Sequence, residues 1–317
     1  MKCDELINPH GMRVTLCPYG ARITGISVPF ARDNRQMVLG YPEAEAYEDD
    51  VYYMGATVGR VANRIRNGRF ELNGRTHKLS VNEGNHCLHG GTHGISQRNW
   101  QRGEATTSEV NYHYTSPAGE GGFPGCAHIQ VKYQLTQNNA LIVTLMARVS
   151  EACPVSLTNH SYFNLGCESV RQLSLRVAGN EYLVVDKDNV ANGKTDCLSN
   201  LGQVHSVNAT QLALVNEGNG LDHCILLPQE DSTEWLPWAA TLEAATNGVA
   251  MHVYTDQPAL QVYSSAGLGH PFTPFSAVCL EAQGINNSIN LSGFCSTIVQ
   301  PDRPYKRQIA FAFNHCR

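Results

Sequence analysis

Three polar clusters in this chain join an ionisable or bidentate side chain to glycine or to an aromatic ring. The first is Asn63-Arg64, inside Gly55-Ala-Thr-Val-Gly-Arg-Val-Ala-Asn-Arg-Ile65, followed by Leu88-His89-Gly90-Gly91. The second is Asn159-His160-Ser161-Tyr162-Phe163-Asn164-Leu165-Gly166. The third is Leu280-Glu281-Ala282-Gln283, and Gly220-Leu221-Asp222-His223 lies between the second and the third. Glycine lets a ligand approach the backbone and a ring offers it a flat face, so each cluster has the composition of a binding site. Arg64 carries a rigid fork of donors and Asp222 can accept two hydroxyl protons.

Other chemistries lack their patterns. Gly193-Lys194-Thr195 looks like the end of a phosphate-binding loop, but the required glycine five positions earlier is Asp188. There is no Gly-x-Gly-x-x-Gly, no Gly-x-Ser-x-Gly and no His-Glu-x-x-His. His86, His89 and His93, with Cys87 among them, raise a metal reading. On a strand or glycine-rich loop that spacing does not converge as it would on a helix, so the expectation is no metal, with His86 and His93 exposed. Arg60, Arg66 and Arg69 read as a solvated strand face.

The rest of the chain says what scaffold must position these groups. It has 317 residues, of which only 16% are charged, with 28 Gly and 25 Asn. That turn-rich, charge-poor vocabulary suits many short strands and argues against a helical bundle. With 23 basic and 28 acidic residues there is no basic field for nucleic acid or an anionic membrane. The longest apolar run, around Ala140 to Ala147, is far shorter than the roughly 20 residues of a membrane helix. Eleven cysteines without a Cys-x-x-Cys pair read as reduced thiols in a cytoplasmic protein.

Short alternating runs dominate the hydrophobic pattern. Asn73-Gly74 between two such runs, Arg69 to Leu79, is a strong hairpin signal. His128 to Leu135 with Ala140 to Val149, and Trp238 to Ala245 with Val249 to Thr255, read as two more hairpins. Further strands are expected at Arg13 to Cys17, Ala21 to Val28, Val110 to Thr115, Val155 to Thr158, Leu173 to Val177, Cys224 to Leu227, Leu260 to Ser264, Ala277 to Glu281 and Gln308 to Phe313. No repeat or linker divides the chain, so residues 1–317 are expected to form one all-β domain, a large antiparallel β-sandwich.

The segments Gly-x-x-x-Gly-Arg-x-Ala-Asn-Arg-Ile, Leu-His-Gly-Gly, Asn-His-x-Tyr-Phe-Asn-Leu and Leu-Glu-x-Gln, in this order, resemble the aldose 1-epimerase (galactose mutarotase) family over roughly Gly55 to Phe313. The resemblance implies a single large antiparallel β-sandwich and interconversion of the α and β anomers of a free hexose, with a small sugar as partner and neither metal nor organic cofactor. It makes Glu281 the general base on the anomeric hydroxyl and His160 the acid on the ring oxygen. It makes Asn63, Arg64, His89, Asp222 and Gln261 the residues that hold the sugar. The residue types suit these roles: an unperturbed Glu, pKa about 4.3, is ionised at neutrality, and His, about 6.5, can supply a proton there. Asn63 and Arg64 are neighbours, so both can face one pocket only if the strand ends or bulges between them. Tyr162, Phe163 and Phe272 are candidates to cover the sugar's apolar face.

Three features depart from the family pattern. Gly284-Ile-Asn-Asn-Ser-Ile-Asn290 lacks the proline usual after Leu-Glu-x-Gln, Pro301-Asp-Arg-Pro-Tyr305 shortens the usual Pro-Gly-Glu-x-x-Tyr, and Gly94-Ile95 replaces Gly-Phe. Two alternatives remain beside the epimerase: a noncatalytic carbohydrate-binding protein, which would not need both Glu281 and His160, and a hexose-6-phosphate mutarotase, which would use basic residues such as Arg60, Arg66 and Arg98. The sequence leaves monomer and homodimer open.

Overall fold

The computed structural model describes residues 2–30, 33–201, 220–229 and 235–315. Two antiparallel sheets dominate. An eight-stranded sheet runs in the order Gln101–Ala105, Glu109–Ser116, Ala127–Leu135, Ala140–Val149, Tyr305–His315, Val249–Thr255, Trp238–Ala244 and Ser174–Val177. A six-stranded sheet runs Tyr162–Phe163, Val278–Gln283, Ala259–Tyr263, Asp222–Leu226, Glu181–Val185 and Ala191–Cys197. A four-stranded sheet of Asp4–Ile7, Arg13–Cys17, Arg22–Phe30 and Asp33–Gln36 precedes them. The helical turns of the described residues are short 3-10 pieces, and none of their helices is long and apolar enough to cross a membrane.

Alternation in the sequence becomes burial in the fold. Ala127–Leu135 hides every second residue, Ala127, Ile129, Val131, Tyr133 and Leu135, as a period of two requires of a sheet with one covered face. These side chains share one core with Val262, Val278, Leu280 and Ala282 of the six-stranded sheet and with Leu6, Val14 and Ile26 of the four-stranded one. The sheets are therefore stacked face to face as a β-sandwich. Phe163 meets Phe311 across the interior with ring centroids 4.8 Å apart. Asn73 and Gly74 both take positive φ, 51° and 73°, the geometry that lets a two-residue turn follow the twist of its strands.

The expected hairpins and nearly all the expected strands are present within a few residues. Val155 to Thr158 differs. Only Thr158–Asn159 pairs as a strand, because Val155 donates to the Thr297 carbonyl and Ser156 to that of Arg60, so the segment switches partners instead of following one.

Candidate active site

The third and second clusters meet by strand register. On Val278–Gln283 the core takes Val278, Leu280 and Ala282, so Cys279, Glu281 and Gln283 must project from the opposite face. The neighbouring strand sets Gln261 directly across from Glu281, and the next sets Asp222 across from Tyr263. On the other side Tyr162 pairs with Cys279 and Phe163 with Val278. Continuing that antiparallel register by two residues puts His160 opposite Glu281, although they lie 121 positions apart. The ladder stops short of them because residues 158–159 pair instead with Thr57–Val58, and the His160 backbone bonds to Ala56 and Gly55. The divergence sets the His160 and Glu281 side chains against each other outside the ladder.

There His160 Nε2 stands 3.8 Å from Glu281 Oε1. Both groups are buried, and Glu281 Oε2 has no hydrogen-bond partner among the described residues. Burial, reinforced by the nearby Asp222 charge and opposed by Arg64, pushes the Glu281 carboxyl well above its ordinary range. Burial pulls the His160 imidazole down to about 4. The other ring nitrogen of His160 lies 3.7 Å from the Cys279 sulfur.

The first cluster closes over this pair. Asn63 takes a positive φ of 61° immediately before the short strand Arg64–Ile65, so the chain does turn between the two neighbours as sharing a pocket demands. Asn63 and His89 clasp each other: the His89 N–H donates to the Asn63 carbonyl, and the Asn63 N–H donates to His89 Nδ1 at 3.2 Å. With Nδ1 accepting, a neutral His89 carries its proton on Nε2. Its burial and the neighbouring His160 hold its pKa well below the usual value, which favours that neutral form. His89 stands edge-on to His160, with ring centroids 5.3 Å apart. Arg64 makes a two-point contact with Glu83, at 2.5 and 2.8 Å, and lies 3.9 Å from Asp222. Asp222 in turn accepts from Gln261 Nε2 at 2.6 Å. All seven residues singled out from the sequence thus belong to one constellation: Asn63, Arg64, His89, His160, Asp222, Gln261 and Glu281.

Several other expectations are corrected. Arg60 is 2% exposed, not solvated: Ser116, Pro117, Pro124 and Gly125 receive five hydrogen bonds from its guanidinium. His86 is buried too, accepting from the Asn67 N–H, while His93 is exposed as expected. Phe163 is fully buried against Phe311 and faces the core, so it cannot cover a sugar. Tyr162 and Phe272 belong to a small aromatic cluster beside the site, with the Tyr162 ring 5.1 Å from that of His160. His86 and His93 do not join His89. The donor atoms that do approach one another, all within 4.8 Å, belong to His89, His160 and Glu281.

Sequence reasoning missed Tyr53 and Glu83. Tyr53 packs its ring 4.7 Å from His89 and 5.9 Å from His160 and fixes its hydroxyl on Asn82. Its signal would have been a tyrosine just before the glycine-rich first cluster. Glu83 sits in a polar turn with no motif, and only its contact with Arg64 reveals it.

The fold is thus an antiparallel sandwich with a buried histidine–glutamate pair, two groups able to exchange protons with a ligand. A family model described as aldose 1-epimerase matches residues 2–312. The aldose 1-epimerase of Escherichia coli K12 is 33% identical over 301 residues, spanning 90% of this chain and 86% of its own. The galactose mutarotase of Bos taurus is 32% identical, spanning 96% and 91%. Among solved structures, an aldose epimerase homologue from C. elegans superposes with a TM-score of 0.92 at 25% identity, covering 100% of this chain and 99% of that one. The galactose 1-epimerase of Lactobacillus acidophilus gives 0.85 at 25% identity, covering 99% and 94%. The chain belongs to the aldose 1-epimerase family.

Proposed function

We propose that this protein interconverts the α and β anomers of a free hexose of the galactose or glucose type, with Glu281 as base and His160 as acid. The observation that carries the reading is the buried pair with 3.8 Å between His160 Nε2 and Glu281 Oε1. Glu281 takes the proton of the anomeric hydroxyl while His160 gives one to the ring oxygen, and the bond between C1 and that oxygen breaks. The open aldehyde turns about C1–C2. Reclosure returns both protons, from carboxyl to the aldehyde oxygen and from the ring-oxygen hydroxyl to imidazole, and leaves the other anomer.

Burial makes the reacting forms scarce in the empty site, because a raised carboxyl pKa favours the protonated acid and a lowered imidazole pKa the neutral ring. The carboxylate and imidazolium that do form are a correspondingly stronger base and acid. Ring opening converts carboxylate and imidazolium into carboxyl and imidazole, the direction desolvation favours, with no change in net charge. Asp222 and Gln261 supply an acceptor and an amide for hydroxyl groups, His89 a donor from Nε2, and Arg64 a guanidinium held by Glu83. Asn63 acts through His89, whose ring it orients.

A free sugar suits this site better than a sugar phosphate. Of the basic residues that a phosphate would need, Arg60 is enclosed by carbonyls, Arg66 is paired with Asp186 at 2.7 Å and Arg98 with Glu120 at 3.3 Å. The core shared by all three large sheets supports reading residues 1–317 as one domain. Buried thiols such as Cys224 and Cys279 support a cytoplasmic setting.

The test is polarimetric. Freshly dissolved α-D-galactose or α-D-glucose should lose its excess rotation faster with the protein than without it, with EDTA present. No acceleration with any of several free aldoses would overturn the reading.

A further inference from the structure

Asn286 stands in the segment that lacks the family's proline, and its side chain does something a proline cannot. Gln283 Nε2 donates to Asn286 Oδ1 at 2.5 Å. Asn286 Nδ2 donates to Gln261 Oε1 at 2.8 Å, and Gln261 Nε2 donates to Asp222 Oδ1 at 2.6 Å. The three amides are buried, each 5% exposed or less. The result is a directed chain of hydrogen bonds ending on a carboxylate.

Its direction follows from that end. A carboxylate only accepts, so Gln261 must show Asp222 its N–H₂ and turn its carbonyl away. That carbonyl needs a donor in a buried place, and Asn286 provides it. Asn286 must then offer its own carbonyl to Gln283. The far end is not anchored: Gln283 Oε1 has no partner among the described residues. Asp222 thus sets the sense of the chain, and Asn286 secures the Gln261 amide from its other side.

We propose that Asn286 is a positioning residue for sugar recognition. It holds the Gln261 amide with its donor on Asp222 Oδ1, which leaves Asp222 Oδ2, 3.9 Å from the Arg64 guanidinium, to accept sugar hydroxyls. This rests on the reading of Asp222 and Gln261 as sugar-holding residues. The relay's hydrogen bonds run among Gln283, Asn286, Gln261 and Asp222 and include neither Glu281 nor His160, so its loss falls chiefly on binding. Without Asn286 the Gln261 carbonyl loses its buried donor, and the amide that holds Asp222 Oδ1 is no longer fixed in place.

Two measurements test this. In steady-state mutarotation kinetics, Asn286→Ala should raise KM about tenfold with kcat within twofold, as expected for losing one buried, charge-assisted contact from the bound complex. A KM within twofold of the parent, or a fall in kcat as large as the rise in KM, would overturn the proposal. The second measurement needs no activity. Asn286→Asp removes the donor to Gln261 and should lower the thermal unfolding midpoint. Adding Asp222→Asn lets the chain run in reverse, with the new amide at position 222 donating to Gln261 and Gln261 donating to the new carboxylate at position 286. The double variant should therefore unfold at a higher temperature than Asn286→Asp alone. A midpoint equal to or below that of the single variant refutes the relay. If the parent protein fails to catalyse mutarotation, the proposed function falls while this comparison still reads the relay.

Discussion

Replacing Glu281 by Gln separates the chemistry of the site from its architecture. The amide keeps the shape of the carboxyl but cannot accept the anomeric proton. One proton-transfer group contributes about 10²- to 10⁴-fold to rate, about 3–5 kcal/mol of barrier, and the variant should lose kcat by that much. KM should stay within about tenfold, because Asp222, Gln261 and His89 are untouched. The stability effect has a definite sign. The folded carboxyl binds its proton more tightly than the unfolded one, so Glu281 contributes stability that is present below the unfolded pKa of about 4.3 and lost as pH rises toward the folded value. Each pH unit in that window costs the parent protein about 1.4 kcal/mol in the limit of an isolated group. Glu281→Gln has no such cost, so its unfolding midpoint should gain on the parent as pH rises above about 4.3. Polarimetric kinetics and thermal unfolding at several pH values check both halves. A variant that keeps more than a tenth of parental kcat, or whose midpoint falls relative to the parent as pH rises, would refute the assignment of a buried base to Glu281.

The companion residue has the opposite pH signature. Because the His160 imidazole is pulled down to about 4 from about 6.5, it destabilises the fold as pH falls through that interval, by about 3 kcal/mol at the limit; His160→Gln should remove the loss and flatten unfolding midpoints measured from pH 6.5 to 4.5. Zn²⁺ should inhibit by binding His89, His160 and Glu281, whose donor atoms lie within 4.8 Å of one another, in competition with sugar and reversibly by EDTA; inhibition insensitive to sugar concentration would contradict it. Asp50→Ala should destabilise the protein by about 3–5 kcal/mol in denaturant titration, because it strands the buried Arg22 guanidinium 2.9 Å away and frees the Tyr52 and Met54 N–H groups that hold Tyr53 beside the site; a loss below about 1 kcal/mol would refute the pairing.

Alternation and turn chemistry made the hairpins and the long central strands legible, since each needs only its own residues to declare a face. The strands that went unseen lie largely at sheet edges or carry little apolar pattern. Ala191–Cys197, the outer strand of its sheet, reads Ala-Asn-Gly-Lys-Thr-Asp-Cys and exists because Glu181–Val185 pairs with it. Six of the seven candidate residues stand in the polar clusters and Gln261 came only through the resemblance, but the arrangement that unites them was not legible. His160 meets Glu281 through a register no local pattern encodes. Arg60 misled for the same reason: its acceptors come from residues 116–125, and a charge among other arginines gives no sign of carbonyls brought in from elsewhere. Asn286 was visible only as an irregularity after Gln283, because its significance is a contact with residue 261.

The two-pair ladder between Tyr162–Phe163 and Val278–Cys279 has a consequence for how such a protein can change. The short ladder beside His160 and Glu281 rests on a few backbone hydrogen bonds, and the long intervening stretch supplies the strands that carry Gln261 and Asp222. Insertions, deletions or altered turns in that stretch, or in the segment after Gln283, can reshape what the pocket accepts while the reacting pair keeps its spacing.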